Sequence, residues 1–156
     1  MKKILTCLFA VSLLAFTSCE KNNENEEQPR PTDYAAAFIG TYDVTINASM
    51  TLPIIGETPV PLPSMEAVCE RKGDGNEVTL TMSNRTIEGY ANASGLHVDP
   101  FIAQQNIAGY DLSITVTVPV VAAPTDGVIS GTATLSASLA GVAIPGTAEY
   151  SAVKRN

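Results

Sequence analysis

Between residues 42 and 51 the even positions hold Tyr42, Val44, Ile46, Ala48 and Met50, and the odd positions hold Asp43, Thr45, Asn47, Ser49 and Thr51. Successive side chains of a β-strand point to opposite faces, so this period of two predicts a strand with one buried and one wet face. The pattern recurs along the chain. Residues 65–72 and 77–83 flank Gly73-Asp74-Gly75-Asn76 and read as a hairpin with Val78, Leu80 and Met82 inward. Residues 86–92 make a weaker strand, interrupted by Gly89, and residues 110–120 carry an apolar side chain at every even position. Residues 128–139 set Ile129, Gly131, Ala133, Leu135, Ala137 and Leu139 against Ser and Thr, and residues 144–153 bring Ile144, Ala148, Tyr150 and Ala152 into register. An eighth strand is expected within residues 52–62. The stretch Leu52 to Pro63 contains four prolines, which exclude a central strand, yet it is strongly apolar for a loop and so marks a contact surface or an edge segment.

Two helical pieces are expected beside the strands. Thr32 or Asp33 caps a short turn over residues 34–39, ended by Gly40. A longer helix is predicted over residues 100–108, with Asp99 as N-cap, Pro100 at the first helical position and Gly109 just past the end. Many antiparallel strands with one apolar face must hide that face on themselves or on a second sheet. The expected fold class is therefore all-β: an antiparallel up-and-down barrel of about eight strands with one short helix, or a β-sandwich as the alternative.

The first residues serve a different purpose. Lys2 and Lys3 precede an apolar run over residues 4–16, too short to span a bilayer, which needs ~20 residues. The ending Phe16-Thr17-Ser18-Cys19 resembles a bacterial lipobox. That resemblance implies cleavage after Ser18, lipid on Cys19 and anchoring to the outer membrane in the cell envelope, with surface exposure suggested by the acidic residues that follow. Residues 1–18 are then the signal peptide, residues 19–33 a tether whose acidic part holds no apolar side chain to bury, and residues 34–156 the folded domain. Of three cysteines, only Cys69 remains in that domain, so no internal disulfide is available and Cys69 is expected as a buried small hydrophobe.

Gly40-Thr41-Tyr42, opening directly into the first long strand, is similar to the Gly-x-Trp start of lipocalin and calycin barrels. Together with the lipobox, the chain from Tyr34 to Lys154 resembles the calycin-like β-barrel lipoproteins of Bacteroides-type bacteria. The resemblance implies an up-and-down barrel in which Lys154 or Arg155, from the last strand, covers the first-strand aromatic Tyr42.

Composition narrows the chemistry. The chain is 45% apolar but 6% aromatic, without Trp, so its core is built from aliphatic side chains and Ala. Its net charge of −7 becomes two units more negative when Lys2 and Lys3 leave, which argues against a nucleic-acid partner. One histidine, His97, cannot by itself make a hydrolytic triad or a metal site, and Glu66 and Glu70 lie beside Arg71 and Lys72 as a solvated face. No catalytic residue, cofactor or metal is assigned. Gly131, Ala133, Ala137, Ala148 and Ala152 on the inward face either leave room for one small apolar or amphipathic ligand or interlock with larger neighbours and fill the core. In the first case Tyr42, Met50, Met82, Tyr110, Leu135 and Tyr150 are the residues expected to line the site. The competing reading is an interaction or adhesion module whose apolar loop meets an envelope protein or a glycan.

Overall fold

The computed structural model describes residues 32–155; residues 1–31, with the expected signal peptide and Cys19 among them, and Asn156 lie outside them. A 3-10 turn, Ala35–Ala37, leads into ten strands: β1 (Gly40–Leu52), β2 (Gly56–Val60), β3 (Met65–Arg71), β4 (Glu77–Met82), β5 (Arg85–Asn92), β6 (Gly95–Val98), β7 (Phe101–Ile107), β8 (Tyr110–Thr117), β9 (Val128–Leu139) and β10 (Val142–Lys154). All belong to one antiparallel sheet in the order β6-β5-β4-β3-β1-β10-β9-β8-β7, with β2 paired to β1 off this path. The fold is thus all-β, a meander curled on itself into a barrel-like shell, rather than two stacked sheets.

The expected phase of every long strand holds. Tyr42, Val44, Ala48 and Met50 are buried on β1, and Ala133, Leu135 and Ala137 on β9. The helix over residues 100–108 does not form. That segment is β7, a hairpin partner of β8 with Ile107 opposite Tyr110. Ala108 (φ 51°) and Gly109 (φ 87°) are the two residues of its turn, both with positive φ, as a tight primed hairpin turn demands. Gly109 therefore turns a hairpin instead of ending a helix. Asp99 caps nothing: its N–H donates to the Glu88 carbonyl, extending the β5–β6 ladder. The inward phase of β7 is odd-numbered, with Phe101, Ala103 and Gln105 half-buried and Ile107 buried. Tertiary pairing along the whole of β8 outweighs the local helix signals.

Register fixes which features share an end. Tyr42 stands opposite Lys154 and Met50 opposite Gly146, so β1 and β10 run the length of the shell. The 3-10 turn, the β3–β4 turn, Lys154 and Arg155 lie at one end, the entry end, where Asn76 ties the first two together. Its Oδ1 accepts from the Tyr34 N–H (2.8 Å) and the Ala35 N–H (3.1 Å), and its Nδ2 donates to the Thr32 carbonyl (2.9 Å). The β1–β2, β7–β8 and β9–β10 turns form the other, tip end.

Two apolar clusters fill the interior. Near the tips, Met50, Leu52, Val60, Ile107, Leu112, Ile114 and Ile144 pack closely, with Ala137 interlocked among them. Toward the entry end, Phe38, Tyr42, Val44, Cys69, Val78 and Leu96 form a second cluster. Ile46, Val118 and Tyr150 pack against both.

The shell is not sealed by a ladder everywhere. No direct pairing joins β6 to β7, and they meet through Asp99 and Pro100. Near the entry end the seam is closed by the segment after β8, where Val121 and Leu96 exchange both backbone hydrogen bonds (2.8 and 2.9 Å). A Cβ on Gly95 would stand 2.3 Å from the Val121 carbonyl oxygen, so only glycine lets that segment approach.

Candidate functional site

The second edge of β1 is shared. Residues 40–44 pair with β3 and residues 48–52 with β2, leaving the stretch around Ile46 without a partner on that side. The linker 61–64 crosses this gap, and behind it lies a cavity of about 450 Å³. Pockets that hold small molecules run from ~300 to 1,000 Å³, so the volume suits one compact ligand.

Its walls are apolar. Tyr42, Val44 and Ile46 come from β1, Ala67 and Cys69 from β3, Leu80 and Met82 from β4, and Ala133, Leu135, Ala148, Tyr150 and Ala152 from β9 and β10. The space exists because Ala133 and Ala148 face each other across the β9–β10 ladder and Ala148 also faces Ala48, so adjacent strands carry only methyl groups at one height. Both alternatives read from the small residues are therefore realised, in different places. Ala133, Ala148 and Ala152 border open space, whereas Ala137 is packed tight near the tips and Gly131 is covered by Tyr150. A Cβ on Gly131 would lie 2.6 Å from the Tyr150 hydroxyl, so the bare glycine lets the ring lie flat across its cross-strand partner.

The rim is different. It is built by Ser83 and Asn84 of the β4–β5 turn, by Arg85 at the start of β5, by Gln104 and Gln105 of β7, by Leu62 of the linker and by Met65 at the start of β3. Gln104 exchanges hydrogen bonds with the Ser113 hydroxyl (2.9 and 3.0 Å). Arg85 Nη1 donates to the Ile102 carbonyl on the open edge of β7, so the guanidinium is fastened across the mouth. Arg85 is the one charged residue lining the cavity among the described residues.

Of the residues expected to line a site, Tyr42, Met82, Leu135 and Tyr150 border this cavity. Met50 does not; it is 1% exposed in the packed core near the tips. Tyr110 does not either, because it stands at the β7–β8 turn, 42% exposed. The two tyrosines that do border it differ in what they offer. Tyr42 donates its hydroxyl to the Phe38 carbonyl (2.8 Å), while the Tyr150 hydroxyl makes no hydrogen bond among the described residues. Burial raises the pKa of both phenols, so both are neutral donors at physiological pH. Arg85, Asn84, Gln104 and Gln105 escaped the sequence reading because a helix over residues 100–108 would have placed the two glutamines on no sheet at all.

The remaining chemistry-bearing residues lie elsewhere. His97 stacks on Tyr90 with ring centroids 4.5 Å apart, its Nε2 3.1 Å from the Ser94 hydroxyl, and does not border the cavity. Glu66 pairs with Arg155, which also reaches Asp43 (Nε to Oδ1, 3.0 Å) and holds that carboxyl below its ordinary pKa. Arg155 thus lies on the outer surface and does not cover Tyr42. Lys154 is the residue opposite Tyr42, and its stem passes over Gly40. Among the described residues no group of three or more His, Cys, Asp or Glu side chains is placed to hold a metal ion. In comparisons with known proteins, no family model, no curated protein and no solved structure matches this chain.

Proposed function

We propose that this chain is a cell-envelope lipoprotein, held at the outer membrane by lipid on Cys19, whose barrel-like shell binds one small apolar or amphipathic molecule. The observation that carries the binding role is the cavity: about 450 Å³ of space with apolar walls, opening at a rim of amides, a hydroxyl and one arginine. Apolar walls with a few fixed polar groups at one side are the usual make-up of a small-molecule site. The lipobox and the acidic tether support the anchor.

The test is binding of Nile red, a neutral dye that brightens in apolar surroundings, to the full chain and to Ala133→Phe. The phenyl ring projects from β9 into the cavity, so dye affinity falls at least roughly ten-fold while the thermal transition remains cooperative. Equal dye binding by both proteins, or none by either, overturns the reading. In the latter case the exposed apolar tip residues Ile54, Ile55 and Val142 favour the interaction-module alternative.

A further inference from the structure

Arg85 has more to offer than a latch. We infer that the ligand of this cavity is a single-chain amphiphile with an anionic head, its chain between the apolar walls and its head on the Arg85 guanidinium at the rim; this rests on reading the cavity as a binding site.

Three observations carry it. First, the position is polarised: walls of Ala, Val, Leu, Met and Tyr end at one cation, in a chain whose net charge is −7. Second, that cation is uncommitted. Four ion pairs hold Arg71, Lys72 and Arg155 to carboxylates, and among the described residues Arg85 has none. Its only hydrogen bond among the described residues runs from Nη1 to the Ile102 carbonyl, which leaves Nε and Nη2 free to grip two oxygens of one head group. Third, the guanidinium is already oriented, because Ile102 lies on the unpaired edge of β7 and fixes one corner of the fork. A preset fork loses little freedom on binding a planar or tetrahedral anion. Gln105 adds an amide on the inward phase of β7, half-buried and without a side-chain hydrogen bond among the described residues.

The experiment is displacement of Nile red from the full chain by laurate, dodecyl phosphate and dodecanol, which share a chain length and differ in the head, each kept below its micelle concentration. Laurate, dodecyl phosphate or both displace the dye at least roughly ten-fold more effectively than dodecanol, the scale of a charge-assisted hydrogen bond. Arg85→Gln removes that advantage, read as the ratio of anion to dodecanol displacement within the variant, and Arg85→Lys keeps part of it. Comparing laurate with dodecyl phosphate tells a carboxylate head from a phosphate head. Dodecanol equal to both anions in the unaltered chain overturns the inference, as does an anionic advantage that survives in Arg85→Gln. Either result leaves dye binding intact, whereas a chain that binds no dye removes the proposed function itself. Should Arg85→Gln fail to fold, loss of the anionic advantage of the unaltered chain at high salt supports the inference and a salt-independent advantage overturns it.

Discussion

Cys69 borders the cavity with 3% of its surface exposed, and burial pushes its thiol up to about 11. At about pH 8 this leaves roughly one thiol in a thousand ionised, and the thiolate is the reactive form. Cys69 in the folded chain is therefore inert to thiol reagents and becomes reactive on unfolding. The same shift links stability to pH. The folded chain holds this proton more tightly than the unfolded chain, so the contribution is complete below the ordinary thiol value of 9.0 and is lost as pH rises through about 11. The loss amounts to about 2–3 kcal/mol. Tyr42 and Tyr150 are shifted in the same direction and add to the decline at the alkaline end. Urea unfolding followed from neutral to alkaline pH, with Cys69→Ala alongside, separates the thiol from the phenols: the variant shows a smaller decline. A decline equal in both proteins shows that Cys69 is not desolvated in the folded state.

Among the elements, the β1–β2 hairpin stands out because a β-branched residue occupies the left-handed region at its tip. Ile54 has φ 75° and is fully exposed, so it carries the strain without packing to offset it. Left-handed backbone costs an ordinary L-residue about 1–2 kcal/mol, and Asn tolerates it best after Gly. Ile54→Asn raises stability by about 1 kcal/mol, read as a higher urea midpoint with an unchanged slope; a lower midpoint shows that Ile54 makes contacts that matter. Long strands such as β1, β9 and β10 could be read from alternation alone, since one phase is greasy over many residues and only a buried face needs that. The misread element was β7. Phe101-Ile102-Ala103-Gln104-Gln105-Asn106-Ile107 carries apolar side chains on both phases and two glutamines in a row, so its period is blurred, while Asp99, Pro100 and Gly109 supply helix punctuation. What decides is the long-range ladder to β8, which no local window contains. The reverse holds for β2. Pro59 within it and Pro53, Pro61 and Pro63 around it announce an edge, and it pairs on one side only, with β1.

For the molecule as a whole, the inward alternation implied a shell but not how full it is. Whether Ala133 and Ala148 leave a void depends on which residues stand across the interior from them, and that is set by register and curl rather than composition. The rim was equally hidden, because Arg85 and Gln105 are distant in sequence and come to line one cavity only when β5 and β7 approach across the unpaired seam, where Arg85 reaches the Ile102 carbonyl. The proposed anchor also belongs to this scale. Replacing Cys19 by Ala abolishes palmitate incorporation and moves the protein from the membrane fraction to the soluble one; label retained in that variant shows that Cys19 is not the lipid site. Asn76 gives such tethering a mechanical side. The chain ahead of the shell is fastened by its carboxamide and by the Arg71–Asp33 pair to the β3–β4 hairpin. With Cys19 lipidated as proposed, a tug on the chain ahead of residue 32 is shared with a second hairpin before it can begin to unzip the first strand from the last, and drag from outside is spread over neighbouring strands instead of being concentrated on one.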